Sequence, residues 1–247
     1  METVLEATLN GTKSSPPLHP YYPLEVEIAG YIANEYSVIQ LLLAFGSGCA
    51  AILSVTYVAA KRIRSQIPTS ELLTLMWFVL SGCIHFFFEG YYAYNFKAMG
   101  GRQDLFGQLW KEYAYSDSRY LTQNAFVMCM ESITAICWGP LSFIVAHMIT
   151  TEHPLRHPLQ AIVSLGQLYG DVLYYATSMF DHYYLEKSYW RPEAYYYWCY
   201  YVFMNLFWIV IPLILLYNST TAGGRAFKAL QKMDRSLQAN GAIKKTL

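Results

Sequence analysis

Five apolar runs in one chain of 247 residues leave few folds open. Each is close to the roughly 20 residues that a helix needs to cross the hydrocarbon core of a bilayer. They cover residues 37–60, 72–94, 124–150, 158–180 and 196–217. None alternates apolar and polar residues as the strands of a membrane barrel would. Lipid cannot satisfy open backbone groups, so the runs are expected as helices. The predicted fold is an all-α integral membrane protein, a bundle of five transmembrane helices. Between the second and third runs, Leu105, Phe106, Leu109, Trp110 and Tyr113 fall at helical spacing. That spacing predicts either an interfacial amphipathic helix able to roof a cavity or a loop helix packed on the bundle. Residues 1–36 read as a polar lead-in, 37–217 as the membrane domain and 218–247 as a basic tail.

Composition supports this. Hydrophobic residues make up 55% of the chain and charged residues only 14%. The 23 tyrosines fit a protein with two membrane–water interfaces, where amphipathic rings collect. A net charge of zero gives no support to nucleic-acid binding. Cys49, Cys83, Cys129, Cys137 and Cys199 all fall in apolar runs without a CxxC pair, so buried free thiols are expected rather than a disulfide framework or zinc site. The N-terminal segment has no basic region followed by an apolar run and does not read as a signal peptide. Five spans divide the 17 Lys and Arg into ten on the side of the C-terminus and seven on the other, which favours a cytoplasmic C-terminus. Asn10-Gly11-Thr12 would then be a luminal glycosylation sequon.

Inside this apolar frame two carboxyl groups stand out. Glu89 lies in the second run and Glu131 in the third. A carboxyl at membrane depth costs a few kcal/mol by insertion scales and marks a functional site by default. Counting along antiparallel spans at about 1.5 Å per residue puts both about 8–10 Å in from the same side. Asp171, Asn205 and Trp208 fall in that layer too. Within each helix, His85 and Glu89, Glu131 and Thr134, Gln167 and Asp171, and Asn205 and Trp208 share a face. Two carboxyls and a histidine at one depth favour function over hydrogen-bonded helix packing. For Gln167 and Asp171 as a pair, structural hydrogen bonding comes first. A metal site from His85, Glu89 and Glu131 is disfavoured, because HxxxE alone is a weak signal and no other histidine shares the layer.

The chemistry follows from the groups. A neutral carboxylic acid can donate a proton even to an alkene, and a second carboxylate can remove one elsewhere. The intermediate between the two steps is a carbocation, which an indole face such as that of Trp208 stabilises. The layer therefore suits moving a double bond in a lipid. It equally suits a proton-coupled transporter, although the inverted repeat common in that class is absent.

The runs GCIHFFFEGYY, LWKEYAYSDSRY, CMESITAICWGP, HPLRHPLQAIVSLGQLYGDVLYY and YYVFMNLFWIVIP, with LHPYYP near the N-terminus, resemble the emopamil-binding protein family. These are the sterol Δ8–Δ7 isomerases, EXPERA-type membrane proteins. The resemblance runs from about Leu18 to Pro212 and implies a five-helix, multi-pass protein of the endoplasmic reticulum membrane. It implies a B-ring double bond moved from C8=C9 to C7=C8 with no cofactor. The family's HxxxE is matched by His85 and Glu89, its MExxT by Met130, Glu131 and Thr134, and its NxxW by Asn205 and Trp208. Its KEYxxxDSRY loop is matched by Lys111 to Tyr120, with Tyr113, Asp117, Arg119 and Tyr120 in place. The resemblance implies His85, Glu89, Glu131 and Trp208 as catalytic. Thr134, Asn205, Tyr113, Asp117, Arg119, Tyr120, Gln167 and Asp171 are then expected to bind substrate or support the site. Expected partners are a Δ8-sterol, the bilayer, cationic amphiphilic drugs and a second copy of the chain. A non-enzymatic lipid- or drug-binding relative, and an isomerase of another polycyclic terpenoid, are the alternatives.

Overall fold

Ser37 starts the first helix with a reciprocal cap: its hydroxyl accepts from the Gln40 backbone, while the Gln40 side chain accepts from the Ser37 N–H. From there α1 runs Val38–Ile63 and ends on Lys61 and Arg62, which suit the negative end of the helix dipole. Most of its surface is apolar and exposed, Leu42, Leu43 and Val55 among it. An apolar helix that stays unburied in the fold is suited to lipid rather than water. The computed structural model describes residues 19–245, so Asn10 and its sequon lie outside the described residues.

The second helical column runs Thr69–Gly101. It consists of α2 (Thr69–Cys83), a π-helical segment Ile84–Glu89, α3 (Gly90–Asn95) and a 3₁₀ turn Phe96–Gly101. Asp104 caps α4 (Leu105–Tyr113) by accepting from the Gly107 N–H, and a short turn Ser118–Tyr120 follows. Asn124 caps the third column, which holds α5 (Ala125–Ile133), a π segment Thr134–Trp138 and α6 (Gly139–Thr150). Next come α7 (Arg156–Tyr184), a π segment Tyr196–Phe203 and α8 (Met204–Lys245), which continues well past the last apolar run. No strand occurs among the described residues.

Among the described residues, four helices are long and apolar enough to cross a membrane: Val38–Ile63, Thr69–Gly101, Ala125–Thr150 and Tyr196–Gln238. At 29 residues α7 has the length, but Gln160, Gln167, Asp171, Asp181 and His182 make it more polar than those four. It packs along α8, α2 packs on α6, and α1 lies against α2. The columns that carry the two glutamates meet closely. A Cβ on Gly139 would sit 3.0 Å from the Phe86 backbone nitrogen, so glycine permits this approach. Two clusters form the core. One is aromatic, around Tyr92, Trp110, Tyr120, Tyr174 and Tyr201. The other is mainly aliphatic, around Leu75, Phe78, Val145, Ile149 and Val163.

Candidate active site

Among the described residues, three helical columns contain π segments, and each contributes to one cavity. A π bulge widens the helix by one residue and re-aims the side chains around it, which is why such bulges gather at functional sites. His85 and Glu89 lie in the first segment, Thr134 opens the second, and Tyr200 lies in the third. The cavity has a volume of about 380 Å³, within the range of small-molecule sites. It draws Trp110, Tyr120 and Tyr174 from the aromatic cluster and Trp77 from the edge of the aliphatic one. Its remaining wall is mainly apolar, including Leu41, Phe45, Leu80 and Phe207.

The ionisable groups form two hydrogen-bonded sets. His85 Nδ1 lies 2.8 Å from Glu89 Oε2, and both side chains are buried. The Gln167 amide nitrogen lies 2.9 Å from His85 Nε2. That amide donates, so Nε2 accepts and Nδ1 carries the proton that is donated to Glu89. The Tyr120 hydroxyl donates to Glu131 Oε1 at 2.8 Å. Glu89 and Glu131 both line the cavity, and both are buried. The Trp208 ring lies 4.5 Å from the His85 ring and 5.0 Å from Trp77. Among the described residues no group of three or more His, Cys, Asp or Glu is arranged to hold a metal ion.

The expected supporting residues divide. Tyr113, Tyr120, Thr134, Gln167, Asp171 and Asn205 line the cavity with the glutamates. Asn205 donates to the Tyr113 hydroxyl at 2.9 Å and to the Tyr201 carbonyl at 2.8 Å, tying α8 to α4. The Thr134 hydroxyl donates to the Met130 carbonyl one turn back. Asp117 and Arg119 do not line the cavity. They form a buried fork in which Arg119 Nη2 donates to Asp117 Oδ2 at 2.7 Å and Nη1 to Thr177 Oγ1 at 2.9 Å. A charged pair without water needs this many hydrogen bonds to persist, and here it pins the turn that carries Tyr120 onto α7. Trp77, Glu112, Tyr174 and Tyr200 also line the cavity but were not named as site residues from the sequence, and Trp110, named there for its helical spacing, joins them. The Tyr200 hydroxyl donates to Glu112 at 3.0 Å. The amphipathic spacing around Leu109, Trp110 and Tyr113 touched this group, and the runs that carry the family resemblance include Trp110, Glu112, Tyr174 and Tyr200.

The model for "EBP: EXPERA (EXPanded EBP superfamily)" matches residues 105–219. A 3-beta-hydroxysteroid-Delta(8),Delta(7)-isomerase of Cavia porcellus is 36% identical over 212 residues, covering 84% of this chain and 90% of its own. The chain belongs to the EXPERA superfamily. EXPERA relatives from plants match as well. A probable 3-beta-hydroxysteroid-Delta(8),Delta(7)-isomerase of Oryza sativa subsp. japonica is 29% identical over 203 residues, 81% of this chain and 90% of its own. A protoglabretal synthase of Citrus sinensis is 31% identical over 185 residues, 74% of this chain and 85% of its own. Within this EXPERA chain, the matched stretch begins at α4 and continues into α8, so it includes Glu131, Gln167, Asn205 and Trp208 but not His85 or Glu89.

Proposed function

We propose that this protein is a cofactor-independent sterol isomerase that moves the B-ring double bond from Δ8 to Δ7. The observation that carries the reading is that Glu89 and Glu131 line one largely apolar cavity together with His85 and Trp208. One carboxyl protonates C9, a cation develops near C8, and the other carboxyl removes a proton from C7. Atoms and electrons balance within the sterol, so no redox partner enters. His85 holds Glu89 through its Nδ1–H, and the Tyr120 hydroxyl holds Glu131. The Trp208 face lies beside the developing charge. After each turnover one carboxyl releases its proton to solvent and the other takes one up, so that each turnover ends as it began.

The same reading takes α7 as a fifth span and residues 37–217 as the membrane domain, between the polar lead-in and the basic tail. It takes α4 as an interfacial roof, supported by Leu105 and Phe106, exposed in its first turn, and by Leu109 and Trp110, buried one turn later. The proposed setting is the endoplasmic reticulum membrane with the C-terminus cytoplasmic. Cationic amphiphilic drugs and a second copy of the chain are proposed partners. Isomerisation of another polycyclic terpenoid is the second reading, favoured by the likeness to the protoglabretal synthase, which is lower in identity and narrower in coverage. Expression in cells that lack the isomerase tests the proposal. Δ8-sterols should fall and Δ7-sterols should rise; persistent Δ8-sterols with the protein well expressed would refute it.

A further inference from the structure

One cavity wall holds a carboxyl group that the acid–base cluster leaves unused. Gln167, Asp171 and Tyr174 on α7 all line the cavity, and Gln167 is engaged by His85. Asp171 sits four residues further on, about 6 Å along the helix axis. Its side chain is buried, with the residue only 8% exposed. Its Oδ2 is buried without a hydrogen-bond partner. A buried acceptor in that condition costs about 1–3 kcal/mol, so a donor brought by a ligand would be used fully. No Lys or Arg pairs with it among the described residues.

The rest of the cavity says how such a ligand would lie. Leu42 on α1 and Met204 and Phe207 on α8 line it and are also exposed, so the rim at that edge is apolar. Of the polar groups in the lining, Asn205 is engaged by Tyr113 and Glu112 by Tyr200, whereas Asp171 Oδ2 has no partner. A ligand with one small polar end and a long apolar remainder fits this division. We infer that Asp171 receives the 3β-hydroxyl of the sterol and so sets the distance at which the B-ring meets Glu89 and Glu131. The hydroxyl donates to Oδ2, rings A and B lie along α7 toward Gln167, and the side chain extends toward the Leu42 and Phe207 rim. This rests on the isomerase reading and adds the group that registers the substrate.

The test compares a 3β-hydroxy Δ8-sterol with its 3-deoxy counterpart, using full-length protein in detergent. Equilibrium binding and kcat/KM are both measured for wild type, Asp171→Leu and Asp171→Asn. A hydrogen bond to a buried carboxyl predicts a wild-type preference for the hydroxyl of about tenfold to hundredfold. Asp171→Leu should collapse that preference to within about threefold, and Asp171→Asn should fall between. A preference kept in Asp171→Leu, or absent from wild type, would overturn the inference. Binding of the 3-deoxy sterol reports whether the Leu variant is folded; if it is not, the Asn variant decides by the same ratio. Failure of wild type to turn over either sterol would instead refute the isomerase reading, because the preference is still read in binding.

Discussion

Replacing Tyr120 by Phe removes one oxygen from the site and little else. That oxygen donates to Glu131 Oε1 at 2.8 Å in a buried setting. The ring itself stacks on Trp110 at 4.8 Å and meets Tyr92 edge-on at 5.2 Å, contacts that Phe retains. A hydrogen bond to a carboxyl is worth about 0.5–3 kcal/mol, the upper half of that range when the carboxyl is charged, and each 1.36 kcal/mol is a factor of ten in rate. If the bond holds Glu131 through the transition state, kcat should fall by about twofold to 150-fold. Leaving the carboxyl oxygen without its donor should also lower stability by about 1–3 kcal/mol. Turnover is read as Δ7-sterol formed per folded molecule, on the monodisperse fraction, with thermal unfolding measured alongside. Tyr120→Leu, which also loses the stacking, should be the less stable of the two. Wild-type kcat in a folded Tyr120→Phe protein would refute the assignment of this hydroxyl to Glu131.

Three other outcomes follow from the geometry. Gln167→Leu removes the donor to His85 Nε2, so turnover should fall by up to about tenfold and the imidazole ¹⁵N spectrum should lose its single Nδ1–H tautomer; an unchanged spectrum would show that Gln167 does not position the ring. Arg119→Met strands the buried Asp117 carboxylate and should cost about 3–5 kcal/mol in chemical denaturation, with part recovered in the Asp117→Leu/Arg119→Met double variant; a loss under about 1 kcal/mol would contradict the buried fork. Burial pushes the Lys111 ammonium down from 10.5 to about 8, so between those pH values the unfolded chain binds more protons and wild type should gain stability relative to Lys111→Met as pH rises; parallel melting curves across that window would refute this.

Much of the site was legible because membrane depth is a count. A residue's distance from the end of an apolar run is close to its depth, and opposite chain directions bring Glu89 and Glu131 level. Shared helix faces then join His85 to Glu89. What the count could not reach is the third dimension. Asp117 and Arg119 lie in a matched motif, yet their mutual charge turns them toward each other and away from the cavity. Glu112 and Tyr200 belong to separate elements, and nothing in local spacing indicates that they meet. The π segments were also hidden, since a one-residue widening leaves the apolar run unchanged. The apolar run 158–180 became the helix α7, whose polar face sets it apart from the four more apolar helices.

The central claim is that Glu89 and Glu131 move protons on and off the sterol. Deuterium transfer tests it most directly. The purified protein is incubated with a Δ8-sterol in D₂O, and the Δ7 product is analysed by mass spectrometry and NMR. The account predicts deuterium at C9 with wild type, and no Δ7 product with folded Glu89→Gln or Glu131→Gln. A Δ7 product without deuterium at C9 when the protein was pre-exchanged in D₂O, or full turnover in either variant, would contradict it.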